Sequence, residues 1–344
     1  MQHKKLLIPA QKVIRKLPEN YRQDDELYFA AQFENETPDV FLIDFRNVNV
    51  SVAGTVFSFL HTFALSVKED FVKKLNWVYV LYNLLTRQKQ AALPDQKHVL
   101  FFNNLSECYY HWMTEAVPRL FLVKDHLEDR KILLPESYRG FQLKSLKAFG
   151  ITEAQVTFIG KKEYYQVQNL LMPSFAGKEQ TYNKKLLQEL GSYYLKEVTK
   201  ATVQKPFDTS RIYVKRKATS IRHVINEDEV VACLKSFGFK DIFFEDYSFE
   251  EQVQLASEAR QLISIHGAGL TNMLFMNKGT QVLEFRKEKE KGYLHYFTLA
   301  DALELRYYYQ FCQPEDETKA SKDANILVDI ELLKRNVELM LTQE

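Results

Sequence analysis

Three ionisable side chains, His111, Glu115 and Arg119, stand four residues apart in the run YYHWMTEAVPRL. On an ideal helix they share one stripe about 80° wide. A carboxylate beside an imidazole can take a proton from a hydroxyl, so Glu115 with His111 is a candidate general base. The alternative is a solvated i,i+4 ion pair between Glu115 and Arg119, worth ~0.3–0.5 kcal/mol. Against it stand the apolar neighbours Met113, Ala116, Val117, Leu120 and Phe121, with Trp112 among them. Pro118 lacks an N–H and clashes with a preceding carbonyl, which should kink the helix and lean Arg119 off the line. No HExxH, no third ligand and no D-x-D after an apolar strand accompanies the stripe, so no metal site is read here.

A second candidate is SIHGAGLTNMLF, residues 264–275. The apolar strand-like run 261–265 stops at His266, and the small residues Gly267, Ala268 and Gly269 lead into a helix-like segment. With Asn272 where a dinucleotide fingerprint wants its third small residue, G-x-G-x-x-N matches the nicotinamide motif poorly. It also follows a late strand, where that fingerprint follows the first. Free N–H groups at a helix start still suit a diphosphate, and glycine lets it come close. The turn Gly267, Ala268, Gly269, Leu270, Thr271 and Asn272 is therefore a candidate phosphate cradle, with His266 beside it. The plain alternative is a tight turn that needs glycine for its backbone angles.

Two flanking stretches bear on the same reading. RIYVKRKATSIR carries Lys215 and Arg216 at the end of a strand, and Arg222 beyond. Arginine meets phosphate oxygens in a planar fork, so Arg216 is a candidate diphosphate ligand, with Lys215 beside it. Glu284 lies in the apolar run TQVLEF, where an unpaired buried carboxylate is costly. It either accepts hydrogen bonds from ribose hydroxyls or pairs with Arg286 or a lysine of RKEKEK.

These residues need elements to hold them. Strand-like runs at 98–104, 131–136 and 154–160 alternate with helix-like runs at 108–127 and 137–150, the latter ending at Gly150. A long helix is expected at 181–198 and a polar linker at 199–210. Strands at 211–216, 241–246, 261–265, 280–285 and 306–311 then alternate with helices at 226–239 and 248–259. Asn226 with Glu229 and Ser248 with Glu251 have capping-box spacing. The fold class is α/β. The expected division is 1–200 as an N-terminal acceptor-side α/β domain, 201–322 as a Rossmann-like donor domain, and 323–344 as a helix packing back on the domains. The first ninety residues read only as short strands around Ala53–Gly54.

Composition bounds the function. The chain has 344 residues, net charge +1 and 46% hydrophobic residues. It is long enough for two full cores, and its charge does not point to nucleic acid. Cys108, Cys233 and Cys312 are odd in number and widely spaced, which suggests reduced thiols rather than a disulfide framework. No stretch nears the ~20 apolar residues of a membrane span. The expectation is a cytoplasmic protein whose basic start either touches an anionic membrane surface or is simply solvated.

Taken in order, YYHWMTEAVPRL, IYVKRK…R…NEDEV, FEEQVQLASEARQLISIHGAGLTNMLF and VLEF resemble glycosyltransferase family 61 over about residues 98–311. The resemblance implies a GT-B architecture, two Rossmann-like domains facing across a cleft. It implies inverting transfer from a nucleotide sugar, expected to be a UDP-sugar, with no obligatory metal and no other cofactor. The acceptor would be a hydroxyl of a glycan or lipid-linked glycan, in surface polysaccharide (capsule or lipopolysaccharide) biosynthesis. Where the family often has Ser-Arg this chain has Lys215–Arg216, so only the arginine role carries over. The family's acidic position falls on Glu115, which takes the base role with His111 nearby. His266 would orient or neutralise the departing phosphate, and Trp112 and Arg119 would contact the acceptor or support the helix. The alternatives are a sugar- or nucleotide-binding protein without transfer, and a nicotinamide oxidoreductase.

Overall fold

A computed structural model describes residues 2–59, 61–68, 72, 76–93, 95–178, 180–198, 209–217 and 221–343. Most of the expected linker, 199–208, lies outside the described residues. The chain divides into two units, Met1–Lys12 with Glu36–Asn183, and Val13–Asn35 with Lys184–Glu344. The division thus falls before the long helix Lys184–Val198 rather than after it at 200. Residues 13–35, which no local pattern assigns to the C-terminal half, belong to the second unit. No described helix is long and apolar enough to cross a membrane.

The second unit is a doubly wound α/β layer. Its strands in chain order are Arg211–Val214, Lys240–Ile242, Gln261–Ile265, Gln281–Lys287, Arg306–Pro314 and Ile326–Leu327. In space they run second, first, third, fourth, fifth, sixth, all parallel except the last. The central strands Gln261–Ile265 and Gln281–Lys287 are buried along almost their whole length, as expected where helices cover both faces of such a sheet. The order reverses between Arg211–Val214 and Gln261–Ile265. In open α/β sheets ligands bind at that reversal, beyond the carboxyl ends of the strands. Residues 13–35 add to this unit through Asn20, which exchanges hydrogen bonds with the Tyr309 backbone (2.7 and 3.2 Å). Phe29 also packs its ring against Tyr309 and Phe297.

The two expected capping boxes part ways. Ser248 Oγ accepts the Glu251 N–H (3.2 Å) and Glu251 accepts the Ser248 N–H (2.7 Å), starting helix Phe249–Glu258. Asn226 precedes helix Glu227–Ser236 without capping it, because its amide bonds both the N–H and the C=O of Val328 (3.0 and 2.9 Å). The last helix, Ile330–Thr342, places Leu333, Val337 and Met340 in this unit's core.

The first unit carries a nine-stranded mixed sheet, not the second copy of a doubly wound sheet that was expected. Lys97–Val99, Arg130–Pro135 and Val156–Ile159 are parallel, as their alternation with helices implies. They join an antiparallel half through Glu163–Pro173, a long strand the sequence reading missed, which pairs parallel with Lys97–Val99 and antiparallel with Val40–Ser51. The hairpin around Ala53–Gly54 is present, with Gly54 at φ +77°, a backbone that favours glycine. The expected helix 108–127 is shorter, Tyr109–Phe121, and contains a π-turn at Trp112–Ala116.

His98, in the short strand Lys97–Val99, is fully buried. Burial, helped by the Lys131 and Arg130 charges, pushes its imidazole down from 6.5 to about 4. The unfolded chain takes up a proton at higher pH than the folded one. Stability is therefore full above the unfolded value and drains away as pH falls toward the folded one, by up to ~3 kcal/mol. Urea unfolding across that interval should show this slope, and a His98→Phe variant should flatten it; equal slopes in both proteins would clear His98 of the effect.

Candidate active site

At the strand-order reversal in the second unit, Val214 and Ser264 pair in register, so Arg216 and His266 each lie two residues past adjacent strand positions. This register brings together two residues fifty positions apart. The Arg216 guanidinium lies over Gly267, where a Cβ would sit 3.2 Å from its Nη1. Gly267 has an extended backbone, φ 178°, and Gly269 has no positive φ either. Their glycine character therefore reflects close approach rather than turn geometry: a Cβ at Gly269 would sit 3.1 Å from Val214. Residues Ala268–Phe275 form a 3-10 helix whose first turn is closed by the Leu270 N–H on the Gly267 C=O (3.0 Å). Ala268 and Gly269 supply its leading N–H groups.

Arg216 Nη1 is buried and has no hydrogen-bond partner among the described residues, and the same holds for Arg222 Nε. Burial, and then the charge of Arg222, hold the Arg216 guanidinium below its ordinary value. Arg222 sits at φ +55°, which a non-glycine residue rarely keeps. It lines a small cavity with His266, Phe285, Tyr293 and Ser321. Two like charges close together with buried, unsatisfied donors make a site poised for an anion.

Other expected donor ligands are engaged elsewhere. Lys215 Nζ pairs with Asp241 (2.6 Å) and lies 4.7 Å above the Phe243 ring. Asn272 donates to Gln252 (3.1 Å), tying the 3-10 helix to helix Phe249–Glu258. Leu270 is core, and Thr271 is buried beside it. Glu284, fully buried, is not open to ribose hydroxyls. Its carboxylate takes hydrogen bonds from His266 Nδ1 and Tyr307 and lies 3.6 Å from Arg286. Burial alone would push that carboxyl up. The Arg286 and His266 charges, with the two hydrogen bonds, outweigh it and hold the carboxyl below its ordinary value. The contact fixes the ring: an ionised carboxylate only accepts, so Nδ1 donates and Nε2 keeps its lone pair.

In the first unit the Val117 N–H reaches back to the Trp112 C=O, an i→i+5 bond. This widened turn directly precedes Pro118, which has no N–H to give. His111 and Glu115 stay side by side, Nδ1 to Oε1 2.9 Å. Arg119 leaves the stripe and is fully buried. Its Nε donates to the Pro173 C=O (2.8 Å) and its guanidinium stacks 4.3 Å from Phe175. Burial pushes its pKa down to about 9, against the Glu115 charge. Trp112 is also core, its indole N–H bonded to Ser145 Oγ (2.8 Å). Both side chains are fully buried. Lys68, which no motif marked, donates to Glu115 Oε1 (2.6 Å). Burial would raise the Glu115 carboxyl, but the His111 hydrogen bond and the Lys68 charge outweigh it and hold it low.

Tyr307 and Lys68 join these clusters without any mark in the local sequence. Arg222 carried a signal, a second arginine six residues past Arg216 in the same basic stretch.

The glycine turn follows the third strand of its sheet, against the place of a nicotinamide fingerprint. The sequence pattern of the family described as Glycosyltransferase 61 matches residues 109–283. Relatives include the EGF domain-specific O-linked N-acetylglucosamine transferase of Mus musculus, 31% identical over 90 residues, 24% of this chain and 17% of that protein. Another is Protein O-linked-mannose beta-1,4-N-acetylglucosaminyltransferase 2 of Xenopus laevis, 42% identical over 66 residues, 18% of this chain and 11% of that protein. The chain thus spans less than a fifth of the length of these relatives. With the match covering half of its residues, from the His111–Glu115 helix to the strand of Glu284, the chain belongs to glycosyltransferase family 61.

Proposed function

We propose that the protein transfers a sugar from a nucleotide-sugar donor to a glycan hydroxyl with inversion. The observation that carries this is the pair of arginines, Arg216 and Arg222, with buried unsatisfied nitrogens at the strand-order reversal. The donor diphosphate lies against Arg216, Arg222 and the N–H groups of Ala268 and Gly269. His266 Nε2, set by Glu284, meets the departing phosphate. These groups stabilise the charge that develops on the leaving group, the largest lever in such a reaction. Because that charge is met by protein groups, the reaction runs without a resident metal. The first unit takes the acceptor, and its His111–Glu115 pair removes the hydroxyl proton. A GT-B architecture is part of the proposal and rests on the family resemblance.

N-acetylglucosamine is the first sugar to try, because the names of both relatives share it. The cytoplasmic setting and the surface-polysaccharide role belong to the same proposal and rest on the family resemblance alone. The test is a panel of nucleotide sugars, UDP-N-acetylglucosamine first, assayed for slow donor hydrolysis with and without a chelator. One donor should be hydrolysed saturably, and equally with the chelator present. A protein that binds no nucleoside diphosphate would sink the donor reading; hydrolysis abolished by the chelator would sink metal independence.

A further inference from the structure

The first unit holds a second carboxylate–imidazole pair built like His266–Glu284. From it we infer that the acceptor's proton goes to His111 Nε2, while Glu115 is a positioning residue that never takes it. The inference deepens the proposed transfer and rests on it. Glu115 Oε1 already accepts from Lys68 Nζ (2.6 Å) and from His111 Nδ1 (2.9 Å), and its Oε2 lies 3.5 Å from the Asn103 amide. A carboxylate ringed by donors, one of them an ammonium, is a weak proton acceptor. Its low-lying carboxyl agrees with that crowding. The same contact settles the imidazole. An ionised carboxylate only accepts, so Nδ1 carries the hydrogen and Nε2 carries the free lone pair. The His111 side chain remains one-fifth exposed, while that of Glu115 is 13% exposed.

The step balances without a further reactant. The acceptor oxygen bonds the anomeric carbon as its proton passes to Nε2. The bond from that carbon to the phosphate oxygen breaks, and its electron pair leaves with the nucleoside diphosphate. Glu115 stays ionised throughout and steadies the imidazolium, which then loses its proton to water. Lys68 keeps the carboxylate charged, so that Nδ1 always has an acceptor.

The test uses the full chain and donor hydrolysis, with water standing in for the acceptor hydroxyl. His111→Ala should lower kcat by ~10²–10⁴-fold, the range for a lost general base. Added imidazole should restore part of it in a saturable way, while nucleoside-diphosphate affinity is unchanged. His111→Gln, which keeps polar bulk, runs alongside in case the alanine variant misfolds, and should lose as much. Glu115→Ala should lose less, keep its response to pH in the form set by an imidazole base, and regain part of its rate in Glu115→Asp. The inference is overturned if Glu115→Ala is the dead variant, formate revives it, and His111→Ala stays near wild type. Failure of the wider reading looks different: the wild type would then bind no nucleoside diphosphate at all.

Discussion

Replacing Arg216 by alanine weakens nucleoside-diphosphate binding by roughly 10- to 100-fold, since a hydrogen bond to a charged group is worth about 1.5–3 kcal/mol. The physical reason is already present in the ligand-free protein. Its Nη1 is buried without a partner among the described residues, and the neighbouring Arg222 charge disfavours its ionised form. An incoming diphosphate removes both penalties at once. The same variant should keep or slightly raise its melting temperature, because it relieves a like-charge contact. Arg216→Lys should recover little of the affinity, because an ammonium cannot offer the planar fork. Gly267→Ala should act in the same direction, with a Cβ 3.2 Å from Nη1 crowding the guanidinium out of place. Calorimetric titration with UDP reads all three. An unchanged dissociation constant in Arg216→Ala would remove this residue from the site.

Glu284→Ala should destabilise the second unit by about 3–5 kcal/mol, the usual penalty for removing one partner of a buried ion pair. The Arg286 side chain is 2% exposed, and Glu284 is its only acidic ion-pair partner among the described residues. Its other partners are the backbone carbonyls of Tyr293 and Gly292 and the Tyr307 hydroxyl, none of them a carboxylate in direct contact, with the Glu290 charge farther off. The melting transition should fall by on the order of 10 °C. Glu284→Gln should melt closer to wild type, because it keeps shape and one acceptor, yet lose transfer. Its NH₂ can donate to His266 Nδ1 and turn the imidazole into the wrong tautomer. A Gln variant with normal donor turnover would show that Glu284 only holds the fold. The pH sign follows from the lowered carboxyl: stability from this group is present above its unfolded value and is lost only as pH falls through the folded one. The loss from His98 begins at higher pH, so mild acid acts on the first unit before the second.

Much of the second unit was legible because its signals are local. Ser248 and Glu251 cap their helix through atoms three residues apart, and the apolar strand 261–265 ends where His266 begins. The first unit was harder. Glu163–Pro173 has no clean alternation because its second half, Leu170–Pro173, is buried on both faces of the sheet. In the second unit, residues 13–35 were equally hard, because their place is set by contacts such as Asn20 with Tyr309, 289 positions away.

By itself the sequence determined most element types of the second unit, the family, and the short list of groups able to do chemistry: His111, Glu115, Arg216, His266 and Glu284. Only the tertiary structure decided what each of them faces. Parallel register sets Glu284 opposite Ser264 and so beside His266, where its buried carboxylate bonds the imidazole. A lysine 47 positions upstream reaches Glu115, and Asp241 claims Lys215, while Arg216 Nη1 and Arg222 Nε stay buried without a hydrogen-bond partner among the described residues. Helix and strand formation depends on neighbours within a few residues. The strength and partner of a charge depend on burial and on whichever distant group the packing brings within hydrogen-bond reach.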